Sequence, residues 1–192
     1  MPPKVSFTRE KVLQQAFEIV RKDGLDTLSA RKIAQHLHCS TRPVYIAFQS
    51  MKTLKEAVIQ KARQYALSYF LQDTEDDDSP FLNLGLQYFR FSQVERELFK
   101  LLFLEGKIGI TFEKMGQYFY PLLDRMKQDP RLQGLSEVSL KRIGMNSWIY
   151  THGLIALIYA VPPQNAEELI RTYMSQIGNI LIVWERNEPD NK

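Results

Sequence analysis

Two short helical patterns stand back to back in the stretch SARKIAQHLHCSTRPVYIAF, which spans residues 29–48. In the first pattern, Ile33 and Leu37 lie four residues apart, so both side chains fall on one helix face. In the second, Val44 and Phe48 repeat that spacing. Two helices of this length joined by a tight turn form a helix-turn-helix unit when another helix packs behind them. This pairing therefore predicts a small helical bundle at the N-terminal end of the chain.

Helical periodicity continues through the rest of the sequence, without the sustained alternation of apolar and polar residues that is typical of strands. An amphipathic pattern before the pair follows the possible cap Thr8 and ends at Gly24, and Ser29 is a possible cap of the first short helix. Long patterns follow the possible caps Ser50 and Ser136. We therefore expect an all-α protein of about nine helices. Residues 1–50 form the predicted helix-turn-helix domain, and residues 51–192 form a larger helical domain.

Composition limits the classes of protein to be considered. Cys39 is the only cysteine among 192 residues, so we expect neither an intramolecular disulfide nor a multi-cysteine zinc site. His36 and His38 are close in sequence, but their spacing does not suit a metal site on one helix face. The sequence contains no nucleophile elbow, phosphate-binding glycine loop or paired-carboxylate motif. We accordingly predict no catalytic residues, no metal and no cofactor.

Targeting signals are also absent from the pattern of the sequence. The N-terminal residues contain no apolar run of signal-peptide length. No uninterrupted apolar stretch reaches the roughly 18 residues that a membrane span needs. We therefore expect a cytoplasmic protein without a membrane partner.

Charge is distributed unevenly along the chain, although the net charge is only +3. Residues 1–65 contain 12 Lys and Arg against 5 Asp and Glu, whereas residues 66–192 contain 13 against 17. A basic N-terminal part on an acidic body suggests that only the former meets a polyanion. The alternative is that the basic residues are simply solvated charges on helix surfaces.

In a helix-turn-helix unit, the second helix lays its N-terminal residues against base edges in the major groove of DNA. Val44 and Phe48 are expected to anchor this helix in the core, which turns Thr41, Arg42 and Tyr45 outward. The basic head therefore predicts binding to double-stranded DNA.

The combined pattern resembles the tetracycline-repressor-like (TetR) transcriptional regulators over roughly residues 7–58. The segments VLQQAFEIV, DGLDTLSARKIAQHL and CSTRPVYIAF carry the resemblance together. The family often has Gly where His38 stands and Lys where Met51 stands. The resemblance implies phosphate contacts and base contacts in the set Arg31, Ser40, Thr41, Arg42, Pro43, Tyr45 and Lys52.

The individual roles follow from position in the family pattern. Arg31, Lys52 and the Tyr45 hydroxyl are expected to contact phosphates, and Ser40 to cap the helix and offer its N–H to a phosphate. Thr41, Arg42 and Pro43 are expected to face bases. Structural alternatives remain, because Tyr45 could be a packing residue, Arg42 a solvated charge and Ser40 only a cap.

The resemblance further implies that residues 51–192 bind an effector and dimerise. The segment SWIYTHGLIAL resembles the W-x-x-x-H-G pattern of one subclass, although a buried histidine is more often a satisfied core residue. The surplus of aromatic residues favours a small apolar or aromatic effector. The predicted pocket set is Tyr88, Phe89, Phe103, Phe112, Phe119, Trp148 and His152.

The last two long helical patterns carry more apolar residues than one small bundle requires. The resemblance implies that this helix pair meets its symmetry mate in a four-helix interface, although internal packing takes a share of these residues in either case. The predicted interface set is Ile155, Ile158, Ile177, Ile180, Leu181 and Trp184.

These observations together predict a sequence-specific, DNA-binding transcriptional regulator. We expect a homodimeric repressor that a small, largely apolar or aromatic effector releases from its operator. The alternative is an all-α small-molecule-binding or adaptor protein whose basic head binds a protein partner instead of DNA.

Overall fold

The structure is a computed structural model that describes residues 7–72, 79–108 and 115–187, with residues 115–119 described by their backbone only. All regular secondary structure within these ranges is helical, which confirms the all-α prediction. The α-helices described there are α1 Arg9–Asp23, α2 Ala30–His36, α3 Arg42–Phe48, α4 Met51–Phe70, α5 Pro80–Val94, α6 Arg96–Phe99, α7 Met115–Met126, α8 Glu137–Ala160 and α9 Ala166–Asn187. Leu25–Thr27 and Pro130–Leu132 form 3₁₀ turns, and Lys100–Leu104 forms a π-helical turn directly after α6.

Side-chain caps begin most of the helices that the sequence predicts to have them. Their hydroxyl oxygens accept hydrogen bonds of 3.1–3.2 Å from backbone N–H groups in the first turns of α1, α2, α4 and α8, and these caps are Thr8, Ser29, Ser50 and Ser136. Helix α3 differs, because Thr41 stands at its N-cap position and no side-chain cap bond is formed there. The prediction that Ser40 caps this helix is therefore wrong.

The chain divides into two units, with breaks after Leu67, Val94 and Gly109. The first unit contains α1 to α3, most of α4, α6 and the π-helical turn. Its core brings together fully buried side chains from five helices, among them Val12, Ile33, Val44, Leu54 and Leu98. The predicted division at residue 50 separates a DNA-binding part from an effector-binding part, whereas the two units are defined by packing. The predicted division therefore stays a prediction.

Glu95 joins three parts of the first unit through a buried ionic network. Its side chain is only 3% exposed and accepts two hydrogen bonds from the Arg21 guanidinium, the one from Nε at 2.7 Å. The Tyr65 hydroxyl donates a third hydrogen bond at 2.8 Å. The hydrogen bond to Glu95 is also the main reason why the pKa of Arg21 lies above its ordinary value. The start of α6 is thereby fixed to α1 and α4.

The second unit contains α5, α7, α8, α9 and the last residues of α4. Its main core cluster comprises Phe81, Leu123, Met126, Leu132, Leu140, Ile143 and Ile182. Two fully buried carboxylates are paired with arginines in this unit: Asp129 with Arg131 at 2.8 Å and Glu185 with Arg142 at 2.7 Å. None of the described helices combines the length and apolarity that crossing a membrane would require.

Candidate nucleic-acid interface and ligand cavity

Helix α3 is anchored on one side and open on the other. Val44 and Phe48 are 1% and 2% exposed, so they hold the helix against the core of the first unit. Thr41, Arg42 and Tyr45 are exposed, as the spacing of the apolar residues predicts. Tyr45 keeps 48% of its surface accessible, so its side chain is open to a ligand.

The turn between α2 and α3 depends on a residue with positive φ. His38 has φ of 52°, in the left-handed region that glycine adopts most easily. The Cys39 N–H donates to the Ala34 carbonyl oxygen at 3.0 Å across this turn. Histidine therefore performs the backbone role of the family's usual glycine, and the departure at residue 38 leaves the helix-turn-helix geometry intact.

Exposed cations on α2, α3 and α4 form no ion pair with any acid in the described part of the chain. These are Arg31, Arg42 and Lys52, respectively. Lys32, by contrast, is 2.7 Å from the Asp23 carboxylate, and its hydrogen bond lowers the pKa of Asp23. Arg31 and not its neighbour is therefore available to an anion.

At the start of α4, Met51 stands where the family that the sequence resembles often has lysine. Met51 is half-buried, whereas Lys52 is exposed one position later. The Lys52 side chain therefore lies at the surface, which the sequence alone did not decide. Ser40 is also exposed, and Pro43 is half-buried in the first turn of α3, where its missing N–H costs no helical hydrogen bond.

Ile46 is a surface residue that the sequence analysis missed. It is 73% exposed, in the middle of α3 and beside Tyr45. A large aliphatic residue is ordinarily assigned to a core. The available signal was its position two residues after Val44 and two before Phe48, which places it about 160° from each around the helix and so away from the buried face.

The second unit contains a cavity of about 60 Å³ that is lined by residues of α5, α7, α8 and α9. Phe81 and Tyr88 from α5, Trp148 from α8 and Met174 from α9 supply large parts of its wall. The described residues of the wall include no charged side chain. The wall is therefore uncharged and mainly apolar, and the volume of about 60 Å³ is well below that of an ordinary small-molecule site.

The predicted pocket residues separate into different places. Tyr88 and Trp148 line the cavity. Phe89 is buried but does not line it, because adjacent helical residues point about 100° apart and Tyr88 takes the cavity side. Phe103 belongs to the π-helical turn of the first unit, which removes it from this cavity. Phe112 lies outside the described residues, and the side chain of Phe119 is likewise not among those described.

His152 stands behind the cavity wall, in a hydrogen-bonded chain. The Trp148 indole N–H donates to the Tyr88 oxygen, since an indole nitrogen can only donate. The Tyr88 hydroxyl can then donate to Nδ1 of His152, 2.8 Å away. Burial lowers the pKa of His152 and raises the pKa of Tyr88, so both side chains are neutral near pH 7. His152 therefore acts here as a hydrogen-bond acceptor that holds Tyr88.

The sequence analysis also missed small residues in the cavity wall. Gly144, Ser147 and Thr151 lie on one face of α8, and Gly85 faces them from α5. The Thr151 hydroxyl donates to the Ser147 carbonyl oxygen at 2.7 Å. The Ser147 hydroxyl is itself buried and has no hydrogen-bond partner. The spacing of the three small residues on α8 was the signal that space opens along this face.

Helices α8 and α9 also present an exposed apolar ridge. Ile180 is 63% and Trp184 48% exposed, and both belong to the predicted interface set. Ile177 and Leu181 are partly buried, whereas Ile155 and Ile158 are buried inside the second unit. Ile155 and Ile158 are therefore not available to a partner, so their prediction as interface residues is wrong. Leu157 and Val183 are further exposed apolar residues of these two helices.

Comparison with solved structures identifies the fold. A protein of unknown function from Rhodococcus sp. RHA1 matches with a TM-score of 0.71 and 18% identity, covering 95% of this chain and 100% of that chain. A TetR-family transcriptional regulator from Streptomyces coelicolor matches with a TM-score of 0.69 and 16% identity, covering 95% and 86%. The TetR-family regulator PfmR from Thermus thermophilus matches with a TM-score of 0.52 and 21% identity, covering 88% and 97%.

No family model and no curated protein matches the sequence. The chain nevertheless has the fold of solved TetR-family regulators over nearly its whole length. At these identities the likeness concerns the fold, so the functional argument rests on the residues of this chain.

Proposed function

We propose that the protein is a sequence-specific DNA-binding transcriptional regulator with α3 as its reading helix. The observation that carries the proposal is the arrangement of α3, where buried Val44 and Phe48 fix a helix whose other side is open. The unpaired cations Arg31 and Lys52 are exposed on α2 and α4, the helices that precede and follow α3 in the chain, and a polyanion could pair with them. The fold shared with TetR-family regulators supports the same conclusion.

Each exposed side chain has a role that its chemistry suits. Arg31 and Lys52 contact phosphates as point charges, and the Tyr45 hydroxyl donates to another phosphate. Ser40 contributes its N–H or hydroxyl to a phosphate at the turn. Thr41, Arg42 and Pro43 face base edges, where arginine can bond guanine O6 and N7 together. The residue Ile46 contacts a thymine methyl group, which an aliphatic side chain recognises by apolar contact.

The regulator acts as a homodimer in this proposal. The exposed ridge formed by Leu157, Ile180, Val183 and Trp184 would be covered by the same ridge of a second copy. Ile177 and Leu181 would complete the interface at its margin. A two-fold dimer would read a pseudo-palindrome whose half-sites lie about 34–36 Å apart on one face of DNA.

An effector in the cavity of the second unit releases the repressor from its operator. Phe70, near the end of α4, packs edge-to-face on Tyr88 with ring centroids 5.6 Å apart. A ligand that displaces Tyr88 would therefore also displace this end of α4, a helix that begins immediately after the reading helix. We further propose a cytoplasmic location and membership of the W-x-x-x-H-G subclass, through Trp148 and His152.

The experiment that tests the core proposal is a DNA-binding titration at several salt concentrations. Duplexes enriched from a random library by the purified protein are compared with unselected duplexes. A regulator will bind the enriched sequence more tightly, and the logarithm of its affinity will fall linearly with the logarithm of salt. Equal, weak binding to both pools at low salt would instead support the alternative of a head that binds a protein partner.

A further inference from the structure

We propose that the cavity of the second unit binds a small, uncharged aromatic molecule with one hydrogen-bonding group, which meets the Ser147 hydroxyl while Met174 moves aside. This inference deepens the proposed function and rests on it, because it names the chemical class of the effector. Three observations within the second unit support it: the polar atoms of the wall, the position of Met174 and the chemistry of the remaining surface.

The polar atoms of the cavity wall leave one position open. Trp148, Tyr88 and His152 satisfy one another in the hydrogen-bonded chain described above. Thr151 uses its hydroxyl hydrogen on the Ser147 carbonyl oxygen. Among the buried side-chain nitrogen and oxygen atoms of the described residues, only Ser147 Oγ has no partner. Leaving such a group unpaired is unfavourable, so a ligand gains by supplying one donor or acceptor there.

The Ser147 hydroxyl calls for one polar group on the ligand, but it does not decide which kind of polar group that is. A serine hydroxyl donates one hydrogen bond and accepts others, so a phenol, an alcohol or a carbonyl group could each pair with it. Ser147 is 4% exposed, and the hydrogen bond would therefore be shielded from water. A second acceptor on the ligand would find no free side-chain donor among the described residues of the wall, because the hydroxyl hydrogen of Thr151 is already used, and this favours molecules that carry a single polar group.

Met174 is the part of the wall that can move. A Cβ atom at residue 85 would lie 1.8 Å from Cε and 2.4 Å from Sδ of Met174. The tip of Met174 thus occupies the space that a side chain would take at Gly85. A methionine has three rotatable side-chain bonds, so it can adopt other rotamers more easily than its ring-bearing neighbours. Since the cavity measures only about 60 Å³, a ring must displace this tip to enter.

The remaining wall surface selects against charge. Phe81, Tyr88 and Trp148 offer ring faces and edges on which an aromatic ligand can stack. The described wall contains no lysine, arginine or carboxylate to pair with an ion, and burying an unpaired charge costs far more than one hydrogen bond returns. Carboxylates and ammonium ions of the same size should therefore be rejected.

Phenol, toluene and benzoate test this inference as a matched set, because one ring carries a hydroxyl, a methyl or a carboxylate group. Each is titrated into the full-length protein labelled with ¹³C at its methionine methyl groups. The loss of one signal in Met174→Ala assigns Met174, and the Met126 methyl in the cavity wall gives a second probe. Phenol should shift both signals saturably, toluene should bind about 5-fold more weakly, and benzoate should leave them unchanged.

Variants then locate the hydrogen bond and the movable wall. Ser147→Ala should lower the affinity for phenol to that for toluene, whereas Ser175→Ala makes the same chemical change in α9 outside the cavity and should alter neither. Met174→Ala should admit the larger 2-naphthol and bind it at least about 10-fold more tightly than the wild type. If Met174→Ala unfolds, Met174→Leu, which lacks the long tip, provides the same comparison.

Three outcomes would overturn the inference. Equal affinities of the wild type for phenol and toluene would show that Ser147 pairs with nothing on the ligand. Saturable binding of benzoate would show that the cavity accepts charge. A ratio of the phenol and toluene affinities that survives in Ser147→Ala would place the hydrogen bond elsewhere.

The DNA titration with the same samples separates this inference from the proposed function. Selective DNA binding without any phenol binding would overturn the proposed ligand class but support the proposed regulator function. Phenol binding to a protein without selective DNA binding would support the ligand class but overturn the regulator function. If both hold, saturating phenol should weaken operator binding by about 5-fold or more, the lower range of allosteric couplings.

Discussion

The proposed reading helix of the first unit and the proposed ligand cavity of the second unit differ in their surface chemistry. The α3 surface presents exposed polar and charged groups around one aliphatic residue, which suits the large, hydrated polyanion that we propose as its ligand. The cavity hides one hydroxyl among aromatic rings, so its ligand must shed its water before it can bind. We therefore expect affinity at the first site to depend on salt, and affinity at the second to depend on shape and on a single hydrogen bond.

The largest expected effect comes from the ridge that would bring two reading helices together. Ile180→Glu places a charge on a residue that is 63% exposed in the single chain. In a dimer this charge would be buried, which should cost about 3 kcal/mol or more and raise the dimer dissociation constant roughly 100-fold. Sedimentation velocity at micromolar concentration should then report monomers, and binding to a two-half-site operator should fall with it.

The control for the dimer prediction is Ile180→Leu, which keeps the apolar volume and should keep the dimer. Circular dichroism on both variants checks that the helices remain folded. A wild-type protein that sediments as a monomer under the same conditions would contradict the proposed interface. The α3 surface would then have to read a single half-site.

The two sites also differ in how far the sequence predicts them. Thr8 and Ser29 cap helices within a few residues of themselves, and Val44 and Phe48 fix the orientation of α3 by a four-residue spacing. These are local relations, so they can be read from the sequence. The Ser40 cap fails because α3 begins two residues later, at Arg42, and helix ends depend on the geometry of the preceding turn.

The cavity could not be predicted because no local pattern defines it. Gly85, Ser147 and Met174 are far apart in the chain and meet only when α5, α8 and α9 pack. Helix α8 adds a second difficulty, because apolar residues occur on all its sides in the segment WIYTHGLIALIYA. Periodicity alone cannot decide that Ile155 is buried and Leu157 exposed, although both are apolar.

Arg42→Ala should give the next largest effect and sharpens the description of the reading surface. If Arg42 bonds a guanine, its loss will cost about 1–3 kcal/mol at one base pair of each half-site and relax the preference at that position. The affinities of wild type and variant for an operator and for its single-base variants measure this loss of preference. Equal losses on operator and on random duplexes would show that Arg42 contacts only a phosphate.

Lys52→Ala provides the electrostatic counterpart of Arg42→Ala. Its loss should weaken every duplex to a similar extent and reduce the slope of the salt dependence by about 1 for each lysine removed from contact. Lys32→Ala is a matched control, because Lys32 is already paired with Asp23 at 2.7 Å. A larger loss for Lys32→Ala than for Lys52→Ala would contradict the assignment of the exposed cations.

Ile46→Ala should have a smaller effect that is confined to one base. The loss of contact between Ile46 and a thymine methyl group should cost about 1 kcal/mol, close to the free energy of burying one methylene group. Replacing that thymine by uracil in the operator removes the same methyl group from the DNA side. The wild type should therefore lose affinity on the uracil duplex, while Ile46→Ala should bind both duplexes equally.

The smallest effect concerns pH and lies entirely within the second unit. Burial lowers the pKa of His152 below its ordinary 6.5, so the unfolded chain binds a proton at pH values where the folded chain does not. The free energy of unfolding should therefore rise with pH across the interval between the two pKa values. This contribution is complete above pH 6.5 and is lost as the pH falls through the folded-state pKa.

Urea unfolding between pH 5 and 8 measures this pH dependence of stability, and His152→Gln should remove it. Tyr88→Phe deletes the hydroxyl that bonds Nδ1 but leaves His152 buried, so the pH dependence should persist in that variant. If it disappears there as well, the hydrogen bond and not burial sets the protonation of His152.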